Sequence, residues 1–133
     1  MSDMSNDLRV KLLNLTLNGT SYAGMTDPYV SLHTADPTSA GTGAEVSTAS
    51  PSAYVRVQAT FDAASGTDSF LLNIADVTWA AAGNSWGNVG WIGLWDAASG
   101  GSMMYFTALD AAKTIDTGDV FKITTGNLKV QLV

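Results

Sequence analysis

The chain has 133 residues, enough for one domain around one core, and no cysteine, which excludes a disulfide framework and thiolate metal sites. Its net charge is −6 with only six Lys+Arg, and Arg9, Lys11, Arg56, Lys113, Lys122 and Lys129 lie apart, so no basic cluster can neutralise a phosphate backbone and nucleic acid is not an expected partner. Charged residues are 14% of the chain against about 25% in an average domain, so Thr, Ser, Asn, Ala and Gly must cover much of a surface that is cheap to desolvate against another protein.

Residues 1–7 are polar and lack the basic patch and apolar core of a signal peptide; they read as a flexible N-terminal arm. No apolar run approaches the roughly 18 residues of a membrane span, so no membrane is expected. In residues 8–17, Leu8, Val10 and Leu12 alternate as in a strand. Leu8, Leu12 and Leu15 also share one helical face, with Ser5 or Asn6 as N-cap and Gly19 as stop; the preferred reading is a short helix. Pro28, with no amide hydrogen to give, opens a strand over residues 29–34. Val30, Leu32 and Thr34 take one face of it, and Tyr29, Ser31 and His33 the other. Residues 35–53 form a loop of about 18 residues, a length that is usually functional or disordered.

Residues 54–61 alternate most regularly, predicting Val55, Val57, Ala59 and Phe61 inward and Tyr54, Arg56, Gln58 and Thr60 outward. A turn follows over residues 63–68, then short apolar pieces at residues 70–74 and 76–80. Residues 89–95 are apolar or glycine at every position and read as a strand buried on both faces. Asp96 to Ser102 is turn chemistry and a second apolar run starts at Met103, giving a hairpin at the centre of the core. Residues 120–123 and 128–133 are further strands. About eight strands with turn signals between them predict an all-β fold: an antiparallel β-sandwich, jelly-roll or Greek-key-like, with a short N-terminal helix, as a single domain over residues 8–133.

Catalytic chemistry finds little support, and no enzyme is expected. His33 is the only histidine, and it reads as a strand residue on the outer face. No serine sits in a nucleophile elbow. No ligand spacing recommends Asp27, Asp36 or Glu45 as metal partners of His33, and Asp116 to Asp119 reads as an Asx-type turn rather than a calcium loop. Catalytic, cofactor and metal residues are therefore given as none, and no cofactor is expected. Trp79, Trp91 and Trp95 fall within strands; Trp86, beside Gly87, is the one tryptophan expected at the surface.

Several stretches, in order, resemble a family of small tailed-bacteriophage virion proteins usually labelled phage tail fibre proteins. They include Tyr29-Val30-Ser31-Leu32-His33-Thr34-Ala35-Asp36-Pro37, Gly41-Thr42-Gly43-Ala44-Glu45-Val46-Ser47 and Ile92-Gly93-Leu94-Trp95-Asp96-Ala97-Ala98-Ser99-Gly100-Gly101, and the likeness covers roughly residues 8–133. The resemblance implies a short helix before the first strand and a structural role in the virion, made in the host cytoplasm, with no catalytic residues to carry over. The sequence lacks the repeats, sustained heptads or collagen triplets of a fibre shaft. The expectation drawn from this is a capsid decoration (cement) protein. The alternatives are a tail fibre or tail-tip component, and a carbohydrate-binding module recognising host glycan. The expected partners are other virion proteins, major capsid or tail, with the chain itself a homo-oligomer. The expected interface residues are Asp36, Pro37, Thr38, Gly41, Gly43 and Glu45, acting with the arm.

Overall fold

The computed structural model describes residues 3–64 and 69–132. One helix, α1 (Asn6–Leu17), precedes the main sheet. Ser5 caps it: its Oγ accepts from the Leu8 amide at 3.1 Å, and Gly19 (φ 63°) turns the chain just past Asn18. The strands are β1 (Asp3–Met4), β2 (Tyr29–His33), β3 (Val57–Gln58), β4 (Phe70–Leu72), β5 (Val77–Thr78), β6 (Gly87–Trp95), β7 (Met103–Ile115), β8 (Lys122–Ile123) and β9 (Lys129–Gln131). The five-stranded sheet runs β1-β7-β6-β2-β3, with every pairing antiparallel. β4 with β9 and β5 with β8 make two small sheets.

The β6–β7 hairpin is central, as its apolar run predicts, and Ile92 to Trp95 are buried at four successive positions. One face of the large sheet carries Val30, Leu32, Ile92 and Leu94. These join one core with Val77, Trp79, Ile123 and Leu128 of the smaller sheets and their flanks, which form the second layer. The opposite face carries Trp95, Met103 and Phe106, with Tyr29 and Trp91 packed beside them.

The structure corrects several expectations. Residues 3–7 are not a loose arm. Asp3 and Met4 pair with Phe106 and Tyr105 along the edge of β7, Ser5 is buried, and its amide donates to the Met104 carbonyl at 2.8 Å. An open strand edge offers unpaired backbone groups, and this segment satisfies them. Residues 1–2 lie outside the described residues, as do 65–68 of the expected turn and Val133 of the last strand. The long strand expected over residues 54–61 shrinks to β3, and its phase inverts at the start. Tyr54 is buried while Val55 is 59% exposed. Tyr54 turns inward because its ring meets Trp86 edge-on at 5.6 Å and its hydroxyl has polar partners inside.

Trp79 is the largest fully buried side chain and meets Phe121 edge-on at 5.3 Å. Trp79→Ala is expected to cost about 3–5 kcal/mol by denaturant unfolding, a large share of a typical 5–15 kcal/mol. A loss below about 1 kcal/mol, the scale of an ordinary surface change, would contradict this core.

Candidate functional site

The segment after β2 is pinned rather than floppy. Thr34 N donates to Ala44 O and Val46 N to Leu32 O, each at 3.0 Å, so the chain returns along β2 and His33 opposes Glu45. Between them the loop bulges outward. Asp36 Oδ1 accepts from Thr38 N at 2.7 Å, an Asx turn, and Thr42 N closes the bulge on Pro37 O at 3.0 Å. Pro37 is fully buried, and Asp36, Thr38, Ala40, Thr42 and Ala44 are exposed. Gly43 is obligatory here: a Cβ would lie 2.5 Å from the Asp36 carbonyl oxygen. Three of the four described non-glycine residues with positive φ, Thr38, Ala44 and Ala53, fall within residues 35–53. Such backbone persists only where its surroundings over-determine it.

The determinant is a polar cluster beneath the loop. Arg56 grips Glu45 with a two-pronged ion pair, Nε to Oε2 and Nη2 to Oε1, each at 2.8 Å. Its Nη1 donates to the carbonyls of Gly100 (2.8 Å) and Ala97 (3.1 Å) in the β6–β7 turn. The guanidinium lies over the Trp95 ring, 3.7 Å from its centroid. Tyr54 OH donates to Glu45 Oε2 at 2.8 Å and accepts from Leu32 N at 3.0 Å. Burial pushes the Glu45 carboxyl up, but the hydrogen bonds from Arg56 and Tyr54 outweigh it and hold it below its ordinary range. Burial pushes the Tyr54 phenol up, well beyond its usual range.

His33 is buried, not on an outer surface. Its Nδ1 faces the Gly43 carbonyl, which can only accept, so Nδ1 carries the proton. Nε2 then accepts from Ser31 Oγ at 2.7 Å, and Ser31 Oγ accepts from Trp95 Nε1 at 2.7 Å. Burial lowers the imidazole pKa, and this relay is complete with the ring neutral.

The expected interface residues therefore divide. Asp36 and Thr38 are presented outward. Gly41 seats the loop on Met103, to whose Cβ a Gly41 Cβ would come within 3.2 Å. Pro37, Gly43 and Glu45 hold the loop from beneath. Trp86 is not a surface aromatic: it is 5% exposed, and its Nε1 donates to Ser52 O at 2.9 Å. The sequence reading missed Arg56, Tyr54 and His33 as the supporting cluster. The pairing of the only glutamate with the only arginine between Arg9 and the C-terminus was the available signal. The docked segment and the loop meet where Asn6 N donates to Ser39 O at 2.9 Å. Beside them is a groove of about 620 Å³ floored by Trp95 and Met103 and walled by Ala40, Gly41 and Val10. Among the described residues no group of three or more His, Asp or Glu could hold a metal ion, and Asp119 Oδ2 accepts from Asp116 N at 2.9 Å as an ordinary turn.

A protein-family model described as podophage GP4 fiber I protein gp80 matches residues 3–131. No curated protein matches the chain.

Arg56→Ala leaves Glu45 half-buried and unpaired, and is expected to cost about 3 kcal/mol by denaturant unfolding, with Arg56→Lys recovering only part because an ammonium lacks the fork. Stability should also depend on pH. The folded His33 pKa lies below 6.5, so the unfolded chain takes up the proton first. The His33 contribution is complete above 6.5 and is lost as pH falls toward the folded value. The Glu45 contribution is complete above 4.5 and is lost as pH falls through its lowered folded pKa. Melting curves against pH should lose the first decline in His33→Gln; an unchanged decline would assign it elsewhere.

Proposed function

This chain belongs to the podophage GP4 fiber I protein gp80 family, and from that premise we propose that it is a non-enzymatic fibre component of a tailed-phage virion, docked to neighbouring virion proteins through the loop over residues 36–46. The family match across residues 3–131 carries this reading. It favours a fibre protein over a capsid decoration protein, a role that nothing in the match supports. The chain is made in the host cytoplasm and assembled onto the particle, working as one β-sandwich unit with residues 3–7 built into it.

The loop suits docking for three physical reasons. It is neutral apart from Asp36 and the paired Glu45, so little hydration is lost on contact. Its backbone is fixed before binding by the Arg56–Glu45 pair and the His33 contact, so little ordering entropy remains to be lost. Its small side chains permit close approach of a partner. Weak contacts of this kind become firm when repeated by symmetry in a particle. The glycan-binding alternative loses its main support, because Trp86 is enclosed in the core.

Immunogold labelling of intact particles should place this protein at the tail, with a few copies per virion; hundreds of copies distributed over the head would overturn the fibre reading. Ala40→Arg and Thr42→Arg, both at exposed positions, should abolish attachment to particles lacking the protein while leaving the melting temperature within a few degrees of the parent. Undiminished occupancy would remove the loop from the interface.

A further inference from the structure

Asn18 closes α1, and no other asparagine in the sequence is followed by glycine. It has left the helix, with φ −131° and ψ 7°, and Asn18, Gly19 and Thr20 are all exposed. Asn18 N donates to Asn14 O at 3.1 Å, and Thr20 N donates to the same oxygen at 3.0 Å. Among the described residues the Gly19 amide and the Asn18 carboxamide have no hydrogen-bond partner. We propose that Asn18 is a site of spontaneous deamidation, through a succinimide ring closed by the Gly19 nitrogen, and that the product loosens the last turn of α1.

The step consumes only water. Gly19 N gives up its proton to hydroxide and bonds to Asn18 Cγ. The Cγ–Nδ2 bond breaks, and Nδ2 leaves as ammonia with a proton from solvent. Water then opens the ring on one side of the Gly19 nitrogen. Breaking its bond to Cγ leaves aspartate at position 18. Breaking its bond to the main-chain carbonyl carbon leaves an isoaspartyl link, in which the chain runs through Cβ and Cγ. The sum is amide plus water to carboxylate plus ammonium.

Geometry selects Asn18. Ring closure requires its ψ to turn until the Gly19 nitrogen lies over the side chain, and the hydrogen bond this opens is the exposed one from Thr20 N. Gly19 has no Cβ to shield its nitrogen, and a Cβ built there would meet nothing within 4 Å, so packing does not hold the joint. The other asparagines are tied or followed by bulk. Leu128 N, after Asn127, donates to Asn73 Oδ1 at 2.9 Å, and Ile74 N, after Asn73, donates to Thr60 O at 2.9 Å. Asn6 and Asn14 lie in α1 and Asn88 in β6. Asn84 is exposed, but serine follows it.

The product sits badly where it forms. Unpaired carbonyls give a helix C-terminus partial negative charge, and α1 has no basic residue in its last turn to offset a new carboxylate at position 18. The isoaspartyl link also lengthens the main chain by one carbon ahead of Thr20, which displaces Thr20 N from Asn14 O. Buried Leu8 and half-buried Leu12 anchor the helix further back, so the loss is confined to its end.

The full-length chain, held folded in mildly alkaline buffer and digested for peptide mass spectrometry, should lose ammonia at Asn18 about tenfold faster than at Asn84, with isoaspartate among the products. Gly19→Ala should slow the loss about tenfold, because its Cβ shields the nitrogen. Amide hydrogen exchange at residues 15–18 should be about tenfold faster in the aged chain and in Asn18→Asp, while β6 and β7 keep their protection. Equal rates at Asn18 and Asn84, an unchanged rate in Gly19→Ala, or product at Asn18 without isoaspartate would overturn the succinimide route. Unchanged exchange at residues 15–18 in the isoaspartyl fraction would overturn the loosening.

Discussion

A guanidinium removed from water has to be neutralised and hydrogen-bonded, or the surrounding structure opens to let water in. The Arg56 side chain is 8% exposed, and the chain meets this demand from three separate places: the Glu45 carboxylate, the Ala97 and Gly100 carbonyls, and the Trp95 ring face. Each contact ties one segment to another. Glu45 brings the end of the loop to β2, the two carbonyls fix the β6–β7 turn, and the ring locks the outer face of β6. The strained backbone at Thr38 and Ala44 is affordable because these ties leave the loop no alternative path. His33 adds a neutral clasp on Gly43 from the other direction. The outward face of the loop is thus a consequence of a buried charge, although that face carries almost no charge itself.

Periodicity and turn chemistry made much of the fold legible. The Val89 to Trp95 run and the Asp96 to Ser102 turn encode the central hairpin by local signals alone, and Ser5 with Gly19 brackets the helix. Reading failed where a side chain has a private reason to depart from the period. Tyr54 sits on the polar phase of its segment, yet its hydroxyl serves two buried groups and its ring packs on Trp86. Trp86 itself follows a turn, where aromatics are often exposed. Its indole N–H finds the Ser52 carbonyl across 34 residues of chain, a contact that no local window contains. The docking of Asp3 and Met4 was equally invisible, because it depends on which edge of β7 is left open.

The loop residues were partly legible for the same reason. Asp36 to Thr38 is recognisable turn chemistry and does project outward. Proximity in sequence groups Glu45 with them, but its role is set by Arg56, eleven residues on and across the β2–β3 edge. A lone glutamate in a chain of low charge is more readily a structural partner than a contact residue, since an exposed ion pair contributes little and a half-buried one is held firmly.

The helix differs from the loop in one physical respect. The loop is neutral and small, a surface that water and a partner protein suit almost equally. The outer stripe of α1 is branched and aliphatic, and each Å² of Leu17 and its neighbours left in water forgoes the roughly 25 cal/mol that burial would contribute. Twelve residues of helix would be marginal alone, and here buried Leu8, half-buried Leu12, the Ser5 cap, Lys11 over Tyr22, the Asn6–Ser39 hydrogen bond and the β1–β7 pairing hold them to the domain. The loop, in contrast, is held in shape from within the domain by the clamp at Arg56.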